Sequence, residues 1–148
     1  MSTYHYTDSG LDFIYLANGY NVVKTPYGEG VAIHDLEGLH IVIGSCIADR
    51  PIMTGDEFRF LRIELGLSQV EVANLIGVGE SAVRNWEKGR TQHVPRPSAN
   101  LMRGLYLESI DATSKLSKIL KNISHLNREI HHIEMNLEET EEGWKLAA

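Results

Sequence analysis

Two short amphipathic segments joined by a glycine constrain the fold more than any other feature of this chain. The first begins with a capping box, in which Ser68 and Glu71 each satisfy a backbone N–H at a helix start. Its apolar residues end at Gly77, which can adopt the left-handed conformation that a sharp turn requires. A second helix follows and ends before Gly89. Residues 68–89 are therefore predicted to form two helices joined by a tight turn.

The second helix, which is predicted to begin at Gly79 or Ser81, has two chemically different faces. With about 100° between successive residues, Val83 and Trp86 share an apolar face. The opposite face carries the polar residues Ser81, Arg84, Asn85 and Lys88. A buried side that anchors the helix and exposed hydrogen-bonding groups opposite it are what base reading in the DNA major groove requires. We therefore predict a DNA-binding helix-turn-helix, with an ordinary solvated helix in a small bundle as the alternative.

The surrounding sequence resembles the phage-repressor (XRE) family of helix-turn-helix proteins. The matching positions are Gln69, Ala73, Gly77, Val83 and Trp86. Residues 54–89, together with the TQHVP segment at 91–95, resemble in particular the DNA-binding domain of MqsA-type antitoxins. Those antitoxins also have an N-terminal zinc domain held by cysteines. This chain lacks those cysteines, so its first 49 residues are expected to have another role.

The resemblance implies a function for individual residues. In such proteins the second helix reads bases and the protein dimerises on a palindromic operator, which makes Ser81 and Asn85 the implied base readers. Arg84 is the implied base or phosphate contact, and Gln69 the implied phosphate contact. The complete predicted DNA-binding set is Gln69, Ser81, Arg84, Asn85, Lys88 and Arg90.

The distribution of charge agrees with a local DNA-binding surface, although the net charge of the chain is −6. Residues 1–49 carry one lysine against six acidic residues, whereas residues 50–108 carry eight basic residues against seven acidic ones. From Arg84 to Arg103 the basic residues are opposed only by Glu87. Phosphate neutralisation requires such a basic footprint, and the excess acid lies elsewhere in the chain.

Residues 1–50 are predicted to form a small α/β domain. Runs of aromatic and β-branched residues at 13–16, 20–25 and 30–34 are separated by turn residues and indicate a small antiparallel sheet. Asp35 is predicted to cap a helix that covers one sheet face with Leu36, Leu39, Ile43 and Ile47. The PYGEG segment contains the glycines of a phosphate cradle, but it follows no buried parallel strand and opens no helix, so a hairpin turn is favoured.

Few residues suggest metal or catalytic chemistry. The single cysteine, Cys46, excludes an internal disulfide framework, and its apolar neighbours indicate a buried thiol. The three N-terminal histidines, His5, His34 and His40, lack the spacing of a metal site and are expected to be structural. The sequence contains no recognisable catalytic triad, Walker loop or zinc-protease helix. We therefore expect neither enzymatic activity nor a cofactor.

Residues 51–108 are predicted to form the helix-turn-helix bundle of four to five helices, which makes the fold class α+β and mainly α. A second capping box, Thr54 with Glu57, opens its first helix, whose inner side is lined by apolar residues. In the helix-turn-helix, Leu75 is predicted to face inwards. After two prolines, Ser98 is expected to start a last helix through Leu101, Leu105 and Tyr106.

A heptad-patterned helix is predicted for residues 109–142. Its apolar residues are spaced alternately three and four apart: Leu116, Ile119, Ile123, Leu126, Ile130, Ile133 and Leu137. This seam indicates a homodimer. An antiparallel pairing, or packing onto another helix of the same dimer, is favoured because Glu129 and Glu134 would face each other as like charges in a parallel pairing. Packing against the chain's own N-terminal domain stays an alternative. Residues 143–148 are predicted to be a tail that ends in vector-like sequence, KLAA, which is expected to carry no function.

Together these patterns predict a dimeric transcriptional repressor that binds double-stranded DNA, with an antitoxin-type autorepressor as one form of it. The alternative is a protein-interaction module that binds a partner through the acidic N-terminal domain and the heptad helix, with DNA binding secondary. That partner would be a toxin, or a small ligand at the N-terminal domain. The chain has no apolar run of about 20 residues and no signal peptide. We therefore expect no membrane association and a cytoplasmic bacterial protein, nucleoid-associated when bound to DNA.

Overall fold

The computed structural model describes residues 3–110 and 134–147 of the chain. Strands and helices together give an α+β fold, as predicted. In chain order, the elements of the described residues are strand β1 (Tyr4–His5), a 3-10 turn (Thr7–Ser9), strands β2 (Ile14–Leu16), β3 (Tyr20–Thr25) and β4 (Gly28–Ile33), helices α1 (Leu36–Asp49), α2 (Gly55–Glu64), α3 (Gln69–Ile76), α4 (Glu80–Glu87) and α5 (Arg96–Ser109), and strands β5 (Met135–Thr140) and β6 (Gly143–Leu146).

A four-stranded sheet joins the two ends of the described chain. Its strand order is β1-β2-β5-β6, in which β2 and β5 are parallel and the other neighbours are antiparallel. Leu16 lies opposite Leu137, and both side chains are fully buried. The sheet is therefore mixed, whereas the N-terminal sequence predicted an antiparallel one, because a C-terminal strand pairs beside β2.

The predicted heptad helix is wrong at its C-terminal end. Leu137, the last residue of the proposed seam, lies in β5, where Met135 and Leu137 are buried and Asn136 is half-buried. The seam was extended wrongly because an apolar residue in a strand can fall by chance at a heptad spacing. The other seam residues, from Leu116 to Ile133, lie outside the described residues.

The C-terminal residues of the chain are structural, although the sequence suggested a tail. Trp144 in β6 is 3% exposed, and its indole N–H donates to the carbonyl oxygens of His34 (3.1 Å) and Asp35 (3.0 Å). Gly19 lies beneath the indole, where a Cβ atom would be 2.4 Å from the ring. The vector-like residues Lys145 and Leu146 continue the same strand. Strand β6 therefore closes over the start of α1.

The remaining two strands, β3 and β4, form a separate antiparallel hairpin that we call the arm (Tyr20–Ile33). Its turn lies at Pro26 and Tyr27, which confirms the hairpin turn predicted for the PYGEG segment. Residues 21–30 are exposed. The arm is attached to the body through the partly buried Tyr20 and Ile33.

Helix α1 is the central element of the core. As predicted, the Asp35 carboxylate caps its start by accepting from the backbone N–H of Gly38 at 3.2 Å. Leu39, Ile43 and Ile47 are fully buried, but Leu36 is 45% exposed because it lies on the first turn at the edge of the body. The buried apolar residues of the sheet, α1 and the helical bundle form one continuous cluster.

Helices α2 to α5 build the bundle that the local sequence signals predicted. Both capping boxes are formed, and Gly77 ends α3 with a positive φ of 86°. Three details differ from the predictions. Leu75 and Leu101 are 59% and 50% exposed, because each lies on the solvent side of its helix. Ser98 is buried inside α5, which begins at Arg96 with Pro95 as its N-cap residue.

Candidate nucleic-acid interface

Helix α4 is anchored through its apolar face. Val83 is fully buried and Trp86 is 6% exposed. The Trp86 ring packs edge-on against Phe58 of α2, with 5.4 Å between the ring centroids. Gly55 allows the start of α2 to approach the end of α4, since a Cβ atom there would lie 1.7 Å from the carbonyl oxygen of Trp86. These contacts fix both the tilt and the rotation of α4.

The face opposite this anchor is polar and open to solvent. Ser81, Arg84 and Lys88 are exposed, and Asn85 between them is half-buried. Val83 and Trp86 point the other way, as the helical periodicity predicted. The four polar residues therefore lie together on one accessible surface, while Gln69 and Arg90 lie at neighbouring helix and loop positions.

Two side-chain pairs organise the polar face. The Arg84 guanidinium forms an ion pair with Glu80 one turn earlier (3.1 Å), which neutralises the acidic residue nearest the helix start. The Arg90 guanidinium donates to the Asn85 side-chain oxygen at 3.0 Å. This hydrogen bond orients the side-chain amide of Asn85, so Arg90 supports a predicted base reader.

Gln69 takes part in a network that the sequence did not reveal. Its amide donates to Glu87 at 3.1 Å, and Glu87 is 7% exposed at the end of α4. Arg62 of α2 donates to both oxygens of the same carboxylate, at 2.8 and 2.9 Å, and to the carbonyl oxygen of Leu67 at 2.9 Å. One buried carboxylate thus links three helices. The only features of the sequence that point to this network are an acidic residue on the inner side of α4 and an arginine 25 positions earlier.

The start of α3 is held by its own capping box. The Ser68 backbone N–H donates to the Glu71 carboxylate at 3.0 Å, and the Glu71 N–H donates to the Ser68 hydroxyl at 3.0 Å. The hydrogen bonds from the Ser68 backbone, and then from its side chain, lower the pKa of Glu71. The ionised carboxylate is therefore the form that holds this turn, next to Gln69.

The loop after α4 is tied to the body. Gly89 adopts a positive φ of 75°, which a helix C-terminus favours and which non-glycine residues rarely adopt. Further on, Val94 is buried, and its N–H donates to the carbonyl oxygen of Met53 at 2.9 Å. The exposed Arg90 and His93 are consequently held on a fixed loop beside α4.

The one acidic residue within the basic stretch from Arg84 to Arg103 is neutralised inside the fold. Glu87, the acid that opposes the arginines from 84 to 103, is buried and paired with Arg62. Lys88 and Arg90 at the end of α4 and Arg96 at the start of α5 are exposed. The surface can therefore attract phosphates, because the acid within this basic stretch is already neutralised by an internal partner.

The cysteine and two of the N-terminal histidines, side chains that could carry out chemistry, take part in the packing and hydrogen bonding of the fold. Burial raises the pKa of the Cys46 thiol to about 12, so the thiol is protonated and unreactive near neutral pH. The His40 ring shares a hydrogen bond of 2.7 Å with the Tyr6 hydroxyl and another of 2.9 Å with the Glu64 carboxylate. His34 pairs with Glu139. Within the described residues, no three His, Cys, Asp or Glu side chains are placed to bind one metal ion.

Comparison with known proteins supports the local assignment. Residues 58–97 match the family model described as helix-turn-helix. The match begins at Phe58 in α2, covers α3 and α4, and ends in the first turn of α5. The chain has no significant match among curated proteins or among solved structures. Every helix in residues 3–110 and 134–147 is too short or too polar to cross a bilayer.

Proposed function

We propose that this chain, whose residues 58–97 match the helix-turn-helix family model, is a DNA-binding regulator of the XRE type that acts as a dimeric repressor on a palindromic operator. In this proposal each subunit inserts α4 into the major groove. The observation that carries it is the polar face of α4, exposed opposite a deeply anchored apolar face. Such an arrangement holds a helix rigidly while leaving its side chains free to meet base edges.

The proposed base readers are Ser81 and Asn85, with Arg84 as a base or phosphate contact. Asparagine is well suited to adenine, which offers an acceptor and a donor in the major groove. The Asn85 oxygen already accepts a hydrogen bond from Arg90, so the orientation of its amide is set before DNA binds. A preorganised amide loses less conformational entropy on binding than a freely rotating one.

Gln69 is proposed to contact a phosphate without leaving its internal partner. Its amide nitrogen has two hydrogens, and only one is needed for the hydrogen bond to Glu87. The second hydrogen remains free for a phosphate oxygen at the start of α3. The buried pair of Arg62 and Glu87 would thus position Gln69 as well as α4.

The test compares Asn85→Ala with Lys88→Ala in quantitative binding to an operator selected from random DNA fragments. Asn85→Ala should lose about 1–3 kcal/mol of binding free energy at one base position and relax specificity there. Lys88→Ala should weaken binding to all sequences alike and reduce the salt slope by about one. Leu75→Ala, an exposed substitution on the neighbouring helix α3, is the matched control.

Unchanged specificity of the Asn85 variant would contradict the base-reading role. Dimerisation and the palindrome are tested separately, by sedimentation of the free protein and by the symmetry of the selected DNA fragments. An asymmetric selected site bound by one subunit would contradict the palindromic operator and leave DNA reading by α4 intact.

A second function, binding of a basic protein partner, is favoured by a cleft that carries three acidic residues. The cleft is lined by His34, Asp35, Glu139, Thr140, Glu141 and Gly143. An antitoxin would combine both functions, binding a toxin through this region and its own promoter through α4. If the purified protein bound the DNA upstream of its own gene no more tightly than random DNA at physiological salt, partner binding would become the leading function.

A further inference from the structure

The first turn of α4 carries an ion pair that is open to solvent. The carboxylate of Glu80, the first residue of the helix, lies 3.1 Å from Nη1 of Arg84 one turn later. The two side chains are 42% and 48% exposed. In helix-turn-helix proteins, the N-terminal residues of the second helix contact base edges. The ion pair therefore presents a hydrogen-bond acceptor and a hydrogen-bond donor side by side at the end of α4 that would enter the groove.

A carboxylate at this place restricts which bases can lie opposite it. The carboxylate of Glu80 accepts hydrogen bonds and repels other acceptor atoms, so it requires an amino group as its partner on the DNA. In the major groove the amino groups are N4 of cytosine and N6 of adenine, whereas guanine and thymine present acceptors. Glu80 therefore excludes guanine and thymine from the position that it faces.

Arg84 decides between cytosine and adenine. In a C·G pair, the cytosine amino group lies next to O6 of guanine, and O6 lies next to N7, so one donor is followed by two acceptors. In an A·T pair, the adenine amino group lies between two acceptors, N7 of adenine and O4 of thymine. A carboxylate on that amino group would have an acceptor on each side. The arrangement of Glu80 beside Arg84, an acceptor followed by a donor, thus fits C·G better than A·T.

The spacing of the ion pair also matches the edge of a C·G pair. Nitrogen and oxygen atoms joined by a hydrogen bond, such as cytosine N4 and guanine O6 in the base pair, are about 2.9 Å apart. The distance of 3.1 Å between Glu80 and Arg84 is nearly the same. Over such an edge, the carboxylate can accept from N4 and the guanidinium can donate to O6 while the ion pair stays formed. Because the ion pair engages Nη1, the other guanidinium nitrogens can donate to N7.

We propose that Glu80 and Arg84 act as one unit that selects a C·G base pair in the operator, with cytosine facing Glu80 and guanine facing Arg84. This inference rests on the proposed function. It adds Glu80 as a specificity-determining residue and assigns Arg84 to a base. An exposed ion pair is weak in water, and it becomes stronger when the groove excludes water from it. Because each side chain orients the other, less conformational entropy is lost on binding.

The first test selects operators from random DNA fragments with the wild type and with Glu80→Gln. Glutamine forms a bidentate pair with N6 and N7 of adenine, so the substitution should change the selected base pair from C·G to A·T at one position. On DNA that differs only at this position, the wild type should prefer C·G about tenfold or more over each other base pair. Glu37→Gln, the same substitution at an exposed residue in the first turn of α1, is the matched control and should keep the wild-type selection.

The second test removes one acceptor atom from the guanine. In 7-deazaguanine a carbon replaces N7, so wild-type binding should weaken about fivefold or more because a hydrogen bond to a charged group is lost. The same replacement should change binding of Arg84→Ala by less than about twofold, because this variant has already lost the contact. Glu80→Ala should show a penalty between the two, since the carboxylate orients the guanidinium. Circular dichroism checks that the variants keep the wild-type fold.

Four outcomes would overturn the proposal. Tighter binding of Glu80→Gln to all sequences alike would show that the carboxylate only repels phosphates. Equal penalties from 7-deazaguanine in the wild type and Arg84→Ala would assign the guanine to another residue. An unchanged selected site for Glu80→Gln, with specificity still relaxed in Asn85→Ala, would remove Glu80 from base reading and leave the proposed function standing. A wild-type protein without any sequence preference would overturn the C·G assignment and the proposed function together.

Discussion

The helix-turn-helix and the four-stranded sheet are each stabilised by internal contacts, and the residues that make these contacts are separated by very different distances along the sequence. In the helix-turn-helix, the buried pair that links α2 to α4 joins residues 25 positions apart, Arg62 and Glu87. In the sheet, Asn18 exchanges two hydrogen bonds with the backbone of Glu139, 121 positions away. The helical motif is therefore specified by neighbouring residues, whereas the sheet forms only when both ends of the chain meet.

Because of this difference, the stability of the helix-turn-helix depends on local contacts and the stability of the sheet depends on tertiary contacts. Local helices closed by capping boxes and short turns lose little loop entropy when they form. A parallel pair of strands such as β2 and β5 must first close a long loop, so the sheet depends on tertiary contacts. We therefore expect opening of the sheet and opening of the helix-turn-helix to respond to different substitutions.

The largest effect is expected from Trp144→Ala. The buried indole fills the space above Gly19 and donates to two carbonyl oxygens at the start of α1. Its removal should lower the free energy of unfolding by about 3–5 kcal/mol. Amide hydrogen exchange should speed up in β2 and β5 well before it does in α3 and α4. Equal acceleration in both regions would show that they open as one unit and would remove the distinction.

A smaller effect, in the other region, is expected from Glu87→Gln. The substitution keeps the shape of the side chain. It removes the negative charge of the carboxylate that accepts hydrogen bonds from Arg62 and Gln69. The loss should be about 1.5–3 kcal/mol in chemical denaturation, because hydrogen bonds to a charged group are replaced by weaker ones. Exchange should accelerate at the ends of α3 and α4 with the sheet unaffected. Glu80→Gln, an exposed acid on the same helix, is the control.

Ser68→Ala tests how far the helical motif depends on its local cap. The Ser68 hydroxyl accepts from the N–H of Glu71 at 3.0 Å, and its loss should lower stability by about 0.5–2 kcal/mol. Amide protection should fall within the first turn of α3. If protection in β2 fell by the same amount, the cap would not be a local determinant of stability.

The smallest effect is expected from Tyr6→Phe, and this effect depends on pH. At pH 7 the lost hydrogen bond to His40 should lower stability by about 0.5–1.5 kcal/mol. Burial, aided by the charges of Asp8 and Glu64, raises the pKa of Tyr6 to about 12, from 10. Because the folded state binds the phenol proton more tightly than the unfolded state, this proton contributes to the free energy of unfolding. The contribution is fully present below pH 10 and is lost as the pH rises towards 12.

Unfolding measured from about pH 9 to 12 should consequently show the wild type losing stability faster than Tyr6→Phe above pH 10. A difference that stayed constant across this range would show that Tyr6 titrates alike in the folded and unfolded chains. Tyr106, whose pKa is also raised by burial, should contribute an alkaline loss of stability common to both proteins.

Much of the helical region could be predicted from short-range chemistry. Ser68, Glu71 and Gly77 mark the ends of α3 through the backbone groups that their side chains or conformations satisfy. The outward placement of Ser81 and Lys88 followed from helical periodicity alone. The pairing of Arg62 with Glu87 could not be predicted, because the crossing of α2 and α4 decides which polar residues meet in the interior.

The sheet was only partly predictable, because some of its features depend on neighbouring residues and others on a distant partner strand. The hairpin of β3 and β4 was found because its turn residues are local, and the cap at Asp35 followed from the sequence beside it. The strand character of β5 was missed because Leu137 also satisfied a heptad spacing. Two periodicities can share one apolar residue, and only the partner strand decides between them.

The sequence by itself determined where the helices of the helix-turn-helix begin, turn and end, and which face of α4 is polar, because these properties depend on residues within one or two turns of each other. The tertiary structure decided that β5 and β6 complete the N-terminal sheet, that Trp144 closes over α1, and that Glu87 is buried between three helices. These arrangements depend on contacts between distant segments, whose free energy is gained only when the whole core assembles.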